Sequence, residues 1–266
     1  MPIVHAEVAR NEEVRARVLA DLLARKAADP GFSVLDVGGG ANAWADAAVD
    51  AYLDIVPFPT DRRLFLGDVC QPAVWDEVAA EVERRGRRYD FSICTHVFED
   101  VRDPLFVARQ LQRVSAAGFV SMPTKHSELS NVESGSYLGY CHHRWIFTVR
   151  PRGGGGGKGG EGGELGLAAV AKLPVVEYFN SRRRPLRKLL HAVGRWALAA
   201  KAQRRLGVFP AGGGVGWVDR GRAGHGWELG FRWRDGFAFE LINGDFAGES
   251  CLELADLYRV ALREGL

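Results

Sequence analysis

Residues Val34-Leu35-Asp36-Val37-Gly38-Gly39-Gly40 constrain the fold more than any other stretch of this chain. An aliphatic and β-branched run ends in an acid, and three glycines follow before Ala41-Asn42-Ala43-Trp44. Such a run reads as a buried strand. Glycine without a Cβ lets the chain turn sharply behind it and come close to a ligand. A helix-compatible segment follows, and the first N–H groups of a helix there would face polar or anionic ligand atoms. Asp36, just before the first glycine, suits a ligand carrying an ammonium or several hydroxyls better than one presenting a pyrophosphate.

An alternation of short apolar runs and longer amphipathic segments surrounds this turn. The pattern predicts strands at 33–37, 51–55, 64–66, 91–95 and 118–122, and helices at 43–49, 72–85 and 104–114. A leading helix is expected over 8–23, where Val8, Val14, Val18, Leu19, Leu22 and Leu23 recur at helical spacing. This rhythm argues for an α/β fold with a doubly wound, mostly parallel sheet. Residues 1–266 read as a single domain with its core at 30–150, a Gly-rich loop at 151–164 and a C-terminal elaboration over 165–266. The glycine tract cannot pack a core. It reads as an interdomain linker or, the favoured reading, as an expanded turn between hairpin strands at 144–149 and 165–170. A second hairpin is expected from 227–233 and 237–242 around Asp235-Gly236, so the elaboration should supply antiparallel strands. A terminal helix is expected at 252–262.

Composition excludes some classes. A formal net charge of +2 makes no case for nucleic acid. Cys70, Cys94, Cys141 and Cys251 form no C-x-x-C pair and read as free thiols of a reducing compartment. Glu7, Glu12, Glu13 and Asp21 interrupt any apolar leader near the start. The expected location is cytoplasmic. Between Arg182 and Arg205 lie nine Lys or Arg residues and no acid. A basic helix at 185–205, with Trp196 on its apolar side, suits peripheral contact with an anionic membrane surface or a phosphorylated substrate, unless it simply packs on its own domain. No base-flipping loop or aromatic-interleaved basic groove is evident, so nucleic acid is not expected as a partner.

Asp36, Asp54 and Asp68 fall at the ends of the first three predicted strands. In open α/β sheets ligands bind beyond the carboxyl ends of the strands. An acid ending the second strand can accept both ribose hydroxyl protons, and one after the third can accept a bond from an adenine amino group. The series resembles the class I S-adenosylmethionine-dependent methyltransferases, a Rossmann-like family. The matching pieces are the glycine motif, Tyr52-Leu53-Asp54-Ile55, Gly67-Asp68-Val69, the stretch 89–100 and the stretch 110–123. The resemblance implies S-adenosyl-L-methionine as cofactor, with Asp36, Gly38 and Gly40 along its methionine part and Asp54 on the ribose. It further implies Asp68 and Val69 at the adenine, and Thr95 and His96 facing the methyl group. Ala41-Asn42 depart from the family, which often has a further glycine there.

Two rival readings use the same residues. Gly38-x-Gly40-x-x-Ala43 also satisfies a dinucleotide fingerprint for an NAD(P)-dependent oxidoreductase, with Asp54 as the ribose acid. Against it, Asp36 would stand beside a pyrophosphate and Asp68 would have no task. The other rival is a catalytically inactive methyltransferase-like scaffold whose pocket Ala41-Asn42 fill. For methyl transfer to a hydroxyl, His96, His142 and His143 are the candidate proton acceptors. Cys141, His142 and His143 are not expected to hold a metal, because adjacent strand residues point to opposite faces. Segment 139–147 should form part of the wall around a small-molecule, sugar (glycan) or lipid-linked acceptor.

Overall fold

The computed structural model describes residues 3–128, 140, 143–151, 164–172 and 227–241. Its main sheet has seven strands: β1 (Ile3–Arg10), β2 (Val34–Val37), β3 (Ala51–Asp54), β4 (Arg63–Leu66), β5 (Phe91–Thr95), β6 (Ala117–Pro123) and β9 (Trp227–Arg234). They lie in the order β1-β9-β6-β5-β2-β3-β4. The five strands from β6 to β4 are mutually parallel, whereas β9 runs antiparallel to both β6 and β1. Every residue of β2, β3 and β5 is buried, as expected where helices cover both faces of a parallel sheet. The order of succession reverses between β2 and β5, which places a crevice beyond their carboxyl ends.

Side-chain alternation splits the core into two layers. Val34, Tyr52, Phe91, Ile93 and Phe119 pack with Val14, Val18 and Leu22 of α1 (Asn11–Ala28). Leu35, Leu53, Phe65 and Cys94 pack with α2 (Pro72–Arg85) and α3 (Pro104–Val114) on the opposite face. The ends of these helices are written in the sequence. Pro72 and Pro104 sit where a missing N–H costs nothing. Asp103 caps α3 by accepting from Phe106 N at 2.8 Å, and Gly86 ends α2 in the left-handed region at φ 71°.

Three expectations change. The leading helix starts at Asn11, and the residues before it form β1, in which Val8 lies opposite Leu229. Periodicity from Val8 onward missed this strand because its demand is tertiary: β9 has an open edge that β1 covers. Second, the stretch 43–49 forms only a 3-10 turn at Asp46–Ala48. Few residues separate β2 from β3, and Ala45 and Ala48 are drawn fully inside. Third, Asp235 and Gly236 do turn with positive φ (57° and 113°), but they close no hairpin. Both edges of β9 are already paired, so the chain leaves the main sheet.

It enters instead a three-stranded sheet of order β10-β8-β7, built from β7 (Trp145–Pro151), β8 (Leu165–Ala171) and β10 (Phe239–Leu241). β7 and β8 are antiparallel, as expected, and β10 joins β8 in parallel. Phe98, which follows β5 and is fully buried, stacks on Phe239 at 6.3 Å and meets Phe147 at 6.2 Å. Trp145 Nε1 donates to Val101 O at 2.8 Å. The small sheet is thereby fixed against the loop after β5. Cys70 and Cys94 are free thiols. The glycine tract, the expected basic helix at 185–205 and the expected terminal helix lie outside the described residues. Among the described residues, no helix is long and apolar enough to cross a membrane.

One glycine in the sheet has a packing task. A Cβ on Gly118 would lie 2.6 Å from Trp233 Nε1 and 2.7 Å from both Ser92 O and Ser92 Oγ. Because one neighbour is main chain of β5, the strand cannot give locally. Gly118→Ala should lower stability by about 1–3 kcal/mol through overpacking. Urea unfolding of the two proteins checks this, and an unchanged midpoint would contradict the tight β5–β6 contact.

Candidate functional site

The crevice beyond β2 and β5 is a cleft of about 510 Å³, within the range of small-molecule sites. Asp54, Asp68 and Val69 line the flank supplied by β3 and β4, with Gly38 and His96 at the switch between strands. Asp100, Val101, Arg102 and Arg144 line the other flank. Five residues that the sequence singled out therefore meet in one cavity.

The glycine turn is built around two close approaches. Gly38 has φ 78°, and a Cβ there would stand 2.4 Å from Val97 Cγ2. A Cβ on Gly39 would stand 2.3 Å from Asp36 Oδ2, so the carboxylate lies directly against the turn. Asp36 is 1% exposed and does not line the cleft. Neither of its oxygens has a hydrogen-bond partner among the described residues. Burial, with the nearby Asp54 carboxylate adding repulsion, pushes its pKa up to about 7.

Asp54 is arranged differently. Gly40 N donates to its Oδ2 at 3.0 Å and Val56 N to its Oδ1 at 2.9 Å. Each oxygen so fixed keeps acceptor capacity for a ligand hydroxyl. Asp68 Oδ1 accepts from Cys70 N at 2.8 Å, which holds the turn after β4. Ile55, 66% exposed, offers an apolar side chain on the same lining. Gly40 and Thr95 stay off the lining, and Thr95 Oγ1 accepts from Trp44 Nε1 at 3.3 Å. Ala41 and Asn42 are exposed and do not enter the cleft.

The histidines part company. His96 has the left-handed φ of 55°, a conformation costing about 1–3 kcal/mol in a non-glycine residue. Its Nδ1 meets Glu99 Oε1 at 3.0 Å and its Nε2 meets Glu228 Oε1 at 2.5 Å. Both carboxylates are 1% exposed, and Arg15 of α1 donates to the same Glu228 oxygen at 2.7 Å. Burial works against charge on His96, but hydrogen bonds and attraction from Glu228 and Glu99 outweigh it and raise its pKa to about 9. Burial would raise Glu228 as well, yet His96 and Arg15 hold it low, while burial leaves Glu99 raised. At neutral pH His96 is an imidazolium donating from both nitrogens.

His143 is buried elsewhere. Its Nδ1 lies 2.5 Å from Glu128 Oε1, and its Nε2 lies 3.8 Å from Asp100 Oδ1. Buried Lys172 bonds the other Glu128 oxygen. His142 lies outside the described residues. Sequence reading missed Glu99, Glu228, Arg15, Glu128 and Lys172. Only Glu99 gave a local signal, three residues after His96. Lys125, buried after β6, has its pKa lowered to about 8 by burial but is absent from the cleft lining.

The clamp on His96 has a pH signature. A folded pKa near 9 against an ordinary 6.5 means that its stabilisation is complete below about pH 6.5 and disappears as pH rises through 9. His96→Asn should therefore melt below the parent protein at pH 6, with the gap closing by pH 10. A gap independent of pH would contradict the charged clamp.

Residues 10–151, more than half of the chain, match the family described as methyltransferase domain. No curated protein matches the chain. Similar solved structures include the N-terminal domain of EvdMO1 with SAH bound, at 19% identity and TM-score 0.30, covering 50% of this chain and 58% of that one. The methyltransferase domain of bacterial CtHen1 matches at 16% identity and TM-score 0.32, covering 56% and 96%. A Haloferax volcanii putative methyltransferase, in complex with the activator Trm112, matches at 15% identity and TM-score 0.29, covering 42% and 54%. The chain thus spans under two thirds of the first of these proteins. By the match over residues 10–151, the chain belongs to the methyltransferase domain family, whose class I members use S-adenosylmethionine.

Proposed function

We propose that this protein transfers a methyl group from S-adenosylmethionine to a small-molecule, sugar or lipid-linked acceptor. One observation carries the reading. Asp54 is locked by N–H groups from both sides at the cleft edge, one of them from the glycine turn itself. Both carboxylate oxygens are thus pre-aimed at a pair of hydroxyls. Asp68, in the turn after the neighbouring strand β4, lines the same flank and suits an exocyclic amine, and Ile55 suits a flat ring. The buried Asp36, whose oxygens have no hydrogen-bond partner among the described residues and whose pKa burial raises to about 7, would gain negative potential by ionising against a cationic ligand end. A pyrophosphate would meet that potential as repulsion, which disfavours the dinucleotide reading. The exposed Ala41 and Asn42 leave the cleft open, which disfavours the filled-pocket scaffold.

When bound, the cofactor supplies an electrophilic methyl group on a sulfonium, open to in-line displacement. The chain's part is to position the acceptor, exclude water and take up a proton where the acceptor is a hydroxyl. His96 does not suit the last task, because both nitrogens are occupied and its proton is held to about pH 9. We assign it to positioning the loop after β5. A hydroxyl in the cleft would meet Asp100 first, with His143 Nε2 3.8 Å behind it and Glu128 behind that. Asp100, backed by His143, is the proposed proton acceptor.

Calorimetry with S-adenosylhomocysteine tests the cofactor without knowledge of the acceptor. Saturable binding is expected, and Asp54→Ala should weaken it by ~1.5–3 kcal/mol, the scale of hydrogen bonds to a charged partner. Binding of NADH in place of adenosyl ligands would overturn the reading. Asp36 gives a second test. Its folded pKa of about 7 lies above the ordinary 3.8, so its buried charge costs stability that accrues as pH rises from about 4 to 7. Asp36→Asn should therefore melt higher than the parent protein at pH 8, by a margin that shrinks at pH 5. The same substitution should weaken S-adenosylmethionine and remove the rise in affinity expected between pH 6 and 7.5. Undiminished cofactor affinity in Asp36→Asn would take Asp36 out of the site.

A further inference from the structure

The flank of the cleft opposite Asp54 and Asp68 carries Arg102 and Arg144. Most guanidinium groups of the described structure are engaged: Arg15 with Glu228, Arg62 with Asp46 and Arg232 with Asp21 are examples. Arg102 and Arg144 are both exposed, and neither guanidinium has a hydrogen-bond or ion-pair partner among the described residues. Asp100, on the same wall, is turned toward His143 at 3.8 Å.

The main chain beneath the two arginines is fixed. Arg144 N donates to Glu99 O at 2.6 Å, and Lys172 N donates to Arg144 O at 2.8 Å. One residue further on, Trp145 Nε1 donates to Val101 O at 2.8 Å. Residues 99 and 144, and then 101 and 145, are therefore stitched together, which sets Arg102 and Arg144 along one rim. His143 beside Arg144 is only 6% exposed and held by Glu128, so the base of Arg144 cannot drift. Two like charges kept on one rim of rigid backbone, neither paired with a carboxylate among the described residues, gain most from a ligand oxyanion that both can fork.

Resting on the proposed function, we infer that the methyl acceptor carries a carboxylate or phosphate group, held by Arg102 and Arg144 while its reacting atom lies toward Asp100. The cleft is then polarised. The acidic flank receives the hydroxyls and amine of the cofactor, and the basic flank receives an anionic acceptor.

Titration calorimetry of the full chain at low ionic strength tests this, with pyrophosphate and succinate as separate probes and with and without S-adenosylhomocysteine. At least one probe should bind saturably in the millimolar range. Arg102→Gln/Arg144→Gln should weaken it at least tenfold and leave S-adenosylhomocysteine affinity within twofold. Preference for pyrophosphate identifies a phosphorylated acceptor, and preference for succinate a carboxylated one. Absence of anion binding, or binding unchanged in the double variant, overturns the inference. So does a parallel loss of S-adenosylhomocysteine affinity, which would assign the arginines to the cofactor's own carboxylate. If S-adenosylhomocysteine fails to bind the parent protein, the proposed function falls, while the anion titration without it still decides the arginine site.

Discussion

A carboxylate sits beneath the glycine turn with no hydrogen-bond partner for either oxygen among the described residues, and much of the architecture answers to that fact. Asp36 occupies a position in β2 that faces the same layer as Val34 and Tyr52, where an aliphatic residue would pack at no electrostatic cost. Burial of a charge in such a layer is offset only by a partner or by neutralisation, and the rise of its pKa to about 7 reflects the second course. The surrounding strands are short and wholly buried, so the sheet holds the acid in place without help from its own side chain. Gly39 is required because any Cβ would collide with it. The acid and the glycines are thus one device. The turn cannot form over Asp36 with any other residue, and Asp36 has no local reason to be there without the turn.

A second constraint lies on the other side of the switch point. The charged clamp at His96 draws on β5, on the loop carrying Glu99, on Glu228 of β9 and on Arg15 of α1. These groups come from opposite ends of the chain. Breaking one member leaves another charge buried without its partner, which is far more costly than the net worth of the pair. The clamp therefore registers the β1–α1 segment and β9 against the cleft, and it holds His96 in a strained left-handed conformation. Strain that persists only because the surroundings over-determine it is characteristic of positions near a site.

The sequence made the parallel half of the fold readable, for physical reasons that can be named. β2, β3 and β5 are short, mostly apolar and wholly buried, and α2 and α3 announce their ends with Pro72, Gly86, Asp103 and Pro104. Those signals are local. β1 was not legible, because its partner β9 lies more than two hundred residues away. The Asp235-Gly236 turn was read correctly as a turn and wrongly as a hairpin, since nothing local reveals that both edges of β9 are taken. The site follows the same rule. Asp54, Asp68 and Gly38 lie next to strand ends, and local patterning was enough to bring them together on one cleft. Arg144 falls within the segment 139–147 expected in the acceptor wall and lines the cleft, whereas Glu228 and Arg102 have no motif and become meaningful only once the strands are placed. His96 could be picked out from the sequence but not its protonation, which nearby Glu99 and distant Glu228 decide together.

Topology also explains why the cleft has two electrostatic ends. At a switch point the strands on either side deliver their following loops to opposite flanks. β3 and β4 deliver Asp54 and Asp68 to one flank, and the loop after β5, stitched to the start of β7, delivers Arg102 and Arg144 to the other. Neither pair sits in the middle of a regular element, so neither compromises the packing of the sheet. The acids are pinned by N–H donors, Arg144 by its own main-chain bonds, and Arg102 by the Trp145 bond to the preceding carbonyl of Val101. A ligand pair of opposite charge placed across the switch point would satisfy both flanks at once, and each ligand would reduce the unfavourable field felt by the other. Under the proposed function, acceptor and cofactor affinity in such a cleft are reciprocally linked, without any movement of the sheet beneath them.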